Sequence, residues 1–264
     1  MALTVRTNLS AMSAYNTLGK TQSALSNTLG RISSGLRVNS ASDDAAGLGV
    51  ATKLNAQANS LEQAMRNAND GISIIQTAES ATSEVTNILS RMRELAVQSS
   101  SETLADSERA YINEEFDQLN QELDRIASVT EFNGVQLADG TTTTLSAQVG
   151  IDNATTSRIS IALGDMRATV LGVGTLNLST SAGAQTALDS IDSALDTVSS
   201  QRATLGAVQN RIDSSLSNSA NYLESLRAAE SQIMDADFAK ESTEMTKLQI
   251  CLLYTSDAAD DDAC

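Results

Sequence analysis

The sequence predicts a mainly α protein: an elongated bundle of long, coiled-coil-like helices with a small β-hairpin section. Three observations carry that expectation. The 264 residues include no proline, so nothing removes a helical N–H or forces a kink. Apolar residues recur at steps of three and four over long stretches, the pattern of helices that associate along one seam. Between those stretches lies a short region in which apolar residues alternate instead.

The first helical stripe is Leu18, Leu25, Leu29 and Ile32. A second begins at Leu61 and continues through Met65, Ala68, Ile72, Ile75, Ala78, Val85, Leu89, Met92 and Ala96. The third, Ile112, Phe116, Leu119, Leu123 and Ile126, is cleaner. Then Asn133-Gly134 signals a turn. Leu145, Ala147, Val149 and Ile151 alternate, as do Ile159, Ile161 and Leu163, with Asp152-Asn153 between them, which predicts a β-hairpin. The Gly- and Ser/Thr-rich residues 164–183 read as short extended segments. A last helix is marked by Leu188, Ile191, Leu195, Val198, Leu205, Val208, Ile212, Leu216, Leu223 and Leu226. Each stripe must be buried against another helix, which makes a bundle with the two chain ends side by side.

Composition narrows the function. Aromatic residues make up 3%, too few for a thick globular core. With no histidine, the commonest general base and the commonest zinc ligand are missing, and no nucleophile can be matched with a His base. The net charge of −16 disfavours a nucleic-acid partner, which needs clustered Lys and Arg. No run of 18 apolar residues exists to span a membrane, and the first 20 residues lack the apolar stretch of a secretory signal.

Two acidic pairs invite a site and fail. "NSASDDAAGLGVATKL" (39–54) holds Asp43 and Asp44 but lacks the alternating oxygen ligands and the twelfth-position Glu of a calcium loop. Helix capping by Ser42 or Asp43 is the expected role. The same stretch lacks the Gly-Lys-Ser/Thr of a phosphate-binding loop. Glu114 and Glu115 read as a solvated helix face. No catalytic, cofactor-binding or metal residue is expected.

Five segments, taken together, resemble bacterial flagellin. "NTLGRISSGLRVNSASDDAAGLGVATKL", "NDGISIIQTAESATSEVTNILSRMRELAVQSSS" and "EFNGVQLADG" are similar to its N-terminal half. "ALDSIDSALDTVSSQRATLGAVQNRIDSSLSN" and "AAESQIMDADFAKESTEMTKLQI" are similar to its C-terminal half. The order is the family's, and nearly all of residues 1–250 is covered. The resemblance implies an N-terminal inner-tube segment at 1–38. A helical rod domain follows at 39–228, with its β section at about 132–180, and the C-terminal inner-tube segment starts at 229–250. Large outer domains look absent.

The family role so implied is a structural subunit that self-assembles with other copies into the extracellular filament. Export runs through the flagellar channel, without a cleaved signal peptide, and a flagellar export chaperone and cap are further partners. In the inner tube, Leu18, Leu25, Leu29 and Ile32 would pack against a C-terminal helix supplied beyond Ile250. The rod helix "ILSRMRELAVQ" carries, by the same resemblance, the surface gripped by Toll-like receptor 5. The matching positions are Arg91, Leu95 and Glu115, and Ser90 departs from the Gln common in recognised flagellins.

The ending "CLLYTSDAADDDAC" (251–264) departs from the family. Written as codons, TGT-CTC-TTA-TAC-ACA-TCT-GAC-GCT-GCC-GAC encodes CLLYTSDAAD and resembles a transposase adapter used for sequencing libraries. The segment therefore reads as non-native. Without it the chain keeps 29 acidic residues against 17 basic ones and loses both cysteines. Two other functions fit less well. A flagellar hook–filament junction protein has a similar helical start but a less similar "SGLRVNSASDDAAG" region. A cytoplasmic coiled-coil signalling protein would leave the mid-chain hairpin unexplained.

Overall fold

A computed structural model describes residues 9–261. Expected features before Leu9, and the last three residues of the tail, lie outside that range. The chain forms helices α1 (Leu9–Ser34), α2 (Ala45–Ser100) and α3 (Asp106–Val129), then strands β1 (Glu131–Phe132), β2 (Val135–Gln136), β3 (Thr144–Gln148) and β4 (Arg158–Ala162). Helices α4 (Ser181–Met234) and α5 (Phe238–Asp261) complete it. Two compact units form. One takes the described residues up to Asn59 together with those from Leu223 onward; the other is Ser60–Tyr222. Both divisions fall inside long helices, between Asn59 and Ser60 of α2 and between Tyr222 and Leu223 of α4.

In the Ser60–Tyr222 unit, α2 buries Ala64, Ala68, Ile75, Ala78, Val85, Leu89, Met92 and Ala96, and α4 buries Ala184, Ala187, Ile191, Ala194, Val198, Leu205, Val208 and Ile212. The steps of three and four persist along both helices, as a supercoiled seam requires. Phe116 and Leu123 of α3 fill one part of the core, with Met166 and Leu178 from the stretch before α4. The β3–β4 hairpin covers the other part with Ile159, Ile161 and Val149. Its antiparallel register, Leu145↔Ile161 and Ala147↔Ile159, follows the predicted alternation. Asn133 (φ 50°) and Gly134 (φ 78°) form the two-residue turn between β1 and β2. Residues 164–180 form turns and irregular chain, where extended segments were expected. Met166 donates its N–H to Ala138 O (2.8 Å), and Ala168 donates to Asp124 Oδ1 (2.9 Å), so backbone groups there are satisfied without a strand.

The α2–α3 connection is held by Arg109, which is buried. Its guanidinium donates to Ser99 O (3.0 Å), Ser101 O (2.8 Å) and Asp106 Oδ1 (2.9 Å).

In the other unit, α1 packs against α5. Gly35, at φ 70°, ends α1 by giving its N–H to Arg31 O (2.9 Å). Arg37 then bonds the chain to the end of α4, its N–H donating to Met234 O (2.6 Å) and its guanidinium to Ile233 O (2.7 Å). The start of α2 is capped by Asp44, whose Oδ1 accepts the N–H of Gly47 (2.8 Å). This corrects the expectation of Ser42 or Asp43. Asp43 instead accepts the N–H groups of Asn39 and Ser40, which shapes the loop before the helix.

Candidate functional site

The residues singled out in the sequence fall in two regions. The first is the α1–α5 pair. Leu18, Leu25 and Ile32 are half-buried along one side of α1, but Leu29 is 46% exposed and Thr28 is buried in its place, with its hydroxyl bonded to Ala24 O. Leu29 is therefore removed from the packed stripe. One residue is about 100° of rotation, so a seam centred between Thr28 and Ile32 turns Leu29 outward. The facing side of α5 offers Glu241, Met245, Leu248 and Leu252. Three of these precede Ile250, so the partner helix starts earlier than the resemblance implied. The nearly buried Glu241 carboxylate meets Arg31 at 3.5 Å. Away from the seam, Met12 and Tyr15 (77% exposed) on α1 and Phe238, Ile250 and Leu253 (71% exposed) on α5 stand in solvent.

The second surface lies across α2 and α3. Arg91 donates through Nε (3.0 Å) and an Nη (2.7 Å) to the same Glu115 oxygen, and its other Nη donates to Glu94 (2.9 Å). All three side chains are about half exposed or more. The hydrogen bonds that Arg91 gives to Glu115, then the one it gives to Glu94, hold the guanidinium still more firmly protonated than usual. Glu94 was missed in the sequence, although its position three residues after Arg91 on one helix is the signal for such a pair. Leu95 must be corrected. At 1% exposure it belongs to the core with Phe116 and Leu123, and its side chain is not available to a partner. The neighbouring outward positions are Glu94 and Val97, which line a shallow hollow with Ser90 and Arg93. Among the described residues, no group of three His, Cys, Asp or Glu could hold a metal ion, and no helix is long and apolar enough to cross a membrane.

Comparison with known proteins matches both halves of this architecture. The bacterial flagellin N-terminal helical region matches residues 5–143, and the bacterial flagellin C-terminal helical region matches residues 188–257. A flagellin of Halalkalibacterium halodurans is 44% identical over 243 residues, covering 92% of this chain and 89% of its own. The flagellar filament 33 kDa core protein of Treponema phagedenis is 40% identical over 257 residues, covering 92% and 90%. Flagellin D of Vibrio cholerae aligns over 355 positions at 34% identity, so that relative carries residues this shorter chain lacks. A Bacillus cereus flagellin crystal structure superposes with a TM-score of 0.52 at 33% identity, covering 58% of this chain and 88% of that one. A putative flagellar hook-associated protein from Vibrio parahaemolyticus shares the fold at a TM-score of 0.61 and 14% identity, covering 73% of this chain and all of that one. With the order of helices, the mid-chain hairpin and these matches in hand, the chain belongs to the bacterial flagellin family and is a structural subunit of the flagellar filament.

Proposed function

We propose that the α1–α5 pair is the element through which this flagellin polymerises. The observation that carries the reading is the apolar surface left open on both helices at Met12, Tyr15, Leu29, Phe238 and Ile250. Burying such a side chain contributes about 1.5–3 kcal/mol. Several copies brought together in a tube gain that at each contact, through heterologous interfaces that do not close on themselves. Residues 1–38 and 229–250 are then the inner-tube segments and 39–228 the rod. As a structural subunit the chain has no catalytic role.

Three finer features go with this reading by family resemblance. The subunit leaves the cell through the flagellar channel without a cleaved signal peptide, a flagellar export chaperone and cap assist it, and Toll-like receptor 5 reads the Arg91–Glu115 face. For the receptor, the support within the fold is that Arg91, Glu94 and Glu115 form one exposed charged cluster on the rod.

The test is seeded filament growth followed by electron microscopy. Tyr15→Asp and Phe238→Asp, each made in a chain whose residues 251–264 are exchanged for a flagellin-type helix, place charges on exposed positions, so the monomer keeps its helical content while elongation stops relative to that parent. Filaments of normal length and diameter from both variants would overturn the proposal.

A further inference from the structure

Between the β3–β4 connection and one face of α4 runs an open groove of about 580 Å³. It continues past Ser215 into a second hollow of about 240 Å³ that ends at Tyr222. Val149 and Ile159 lie beside it as apolar, buried residues. Most arginines elsewhere, among them Arg91, Arg93, Arg125 and Arg167, sit against carboxylates, while Arg37 and Arg66, each outside the groove, bond neutral oxygens. The two arginines of the groove, Arg158 and Arg211, have no carboxylate in ion-pair range among the described residues. Arg158 is oriented by neutral acceptors: Nε donates to Gln148 Oε1 (3.0 Å) and an Nη to Asn153 Oδ1 (2.6 Å). Its position is thus fixed without its charge being spent.

In a chain of net charge −16, two uncompensated guanidiniums in one groove attract an anion. Guanidinium matches planar carboxylates and sulfates with paired hydrogen bonds. The rest of the lining is chosen from groups that both donate and accept, namely Thr156, Ser214 and Ser215 with the amides of Asn210 and Asn218. Such a lining matches the hydroxyls of a sugar better than a bare ion. At the far end the Tyr222 ring, 44% exposed, offers an apolar face on which a pyranose can stack. Asp152 lies at that same end and opposes a second anionic group there.

We propose that this groove binds an acidic saccharide, with a carboxylate or sulfate held by Arg158 and Arg211 and the adjoining neutral sugar against Tyr222. The groove lies within the Ser60–Tyr222 unit, and its lining includes no residue of α1 or α5. An open groove, unlike a closed cavity, admits a chain that continues beyond both ends.

The test is calorimetric titration of the full chain at low salt with four probes: a galacturonate oligomer, a heparin-derived tetrasaccharide, neutral maltotetraose and inorganic sulfate. At least one acidic oligosaccharide binds, and it binds at least about tenfold more tightly than maltotetraose, which loses the charge-assisted pairing, and than sulfate, which keeps that pairing but loses the hydrogen bonds and stacking of the sugar. A preference between the two acidic probes identifies carboxylate or sulfate as the anion. Arg211→Glu abolishes binding, Arg211→Lys weakens it, and Tyr222→Ala weakens it while leaving its salt dependence unchanged. Circular dichroism verifies that these exposed substitutions leave the helices intact, and Arg66→Glu, elsewhere on α2, serves as a charge control. Undiminished binding by Arg211→Glu, equal binding of maltotetraose, equal binding of inorganic sulfate, or no binding of either acidic probe overturns the proposal.

Discussion

Arg91 and Glu115 join α2 to α3 through two hydrogen bonds that converge on one carboxylate oxygen, at 3.0 and 2.7 Å. Both side chains are about half exposed, so solvent screens the pair and its contribution to stability is at most about 1 kcal/mol. Replacing Arg91 with Ala is therefore expected to leave the thermal midpoint of the rod nearly unchanged. If the receptor reads this face, the same variant lowers Toll-like receptor 5 signalling by about tenfold or more, the scale of a lost arginine anchor. A reporter-cell assay beside a melting curve separates the two effects. Unchanged signalling removes this face from receptor contact.

Leu95 gives the opposite pattern. Its side chain is enclosed by the core that contains Phe116 and Leu123. Leu95→Ala is expected to cost about 2–5 kcal/mol, the transfer term plus the cavity left behind. A denaturant titration of the chain measures this directly. Any loss of receptor signalling in that variant should follow the fraction unfolded and disappear under conditions that restore folding. A variant as stable as the parent would contradict the buried placement.

The contrast between these two neighbours shows what the sequence could convey. Steps of three and four revealed the long helices, and alternation revealed the β3–β4 pairing, because each period is imposed by backbone geometry. The exact seam was harder to see. Large apolar residues such as Met65, Ile72, Leu188 and Leu195 marked the stripes, yet they flank the seam as half-buried residues, and the centre is held by Ala64, Ala68, Ala187 and Ala194. Alanine lets two helices approach closely but stands out little in a chain so rich in it. Thr28 and Leu29 repeat the lesson on α1. Pairings between elements were beyond reach for a different reason. Arg91 with Glu115, or Arg158 beside Arg211, depends on how one helix or strand is placed against another, which no local period encodes.

Acid should weaken the fold through carboxylates that are hydrogen-bonded in it. Asp165 accepts the Arg167 guanidinium, and this contact first, then the Arg167 N–H, holds its carboxyl below the ordinary 3.8. Glu230 is held below 4.5, chiefly by the Asn55 amide and then by Arg227. For a group whose folded value is depressed, the unfolded chain binds the proton first. The stabilisation is thus fully present above the ordinary value and is lost as pH falls through the lower folded value. Thermal midpoints are expected to stay level from about pH 7 to 5 and to drop below about pH 4. Asp165→Asn should lower stability at neutral pH by at most about 1 kcal/mol and make little difference at about pH 2. An equal penalty at both pH values would rule out Asp165 as a contributor to the acid transition.

The final expectation concerns residues 251–264, of which the family's C-terminal helical region matches those up to 257. Helix α5 continues through them to Asp261, and Leu252 adds to the side that faces α1. Geometry therefore does not by itself prevent this stretch from serving as the end of an inner-tube helix. Chemistry opposes it. Asp257, Asp260, Asp261 and Asp262 supply four of the 33 acidic residues of a chain whose net charge is −16. In a polymer these would be crowded against copies of themselves, and burying an unpaired carboxylate costs several kcal/mol. We expect the chain as written to elongate filaments from flagellar seeds poorly, with partial recovery as salt screens the repulsion. Changing all four aspartates to Asn should speed elongation more than salt does. Exchanging 251–264 for a flagellin-type amphipathic helix should restore it fully, since that change removes the charges and extends the stripe that Met245 and Leu248 begin. Equal elongation rates for the three chains would mean that the aspartates face solvent in the filament, and the tail would then have to be treated as compatible with assembly.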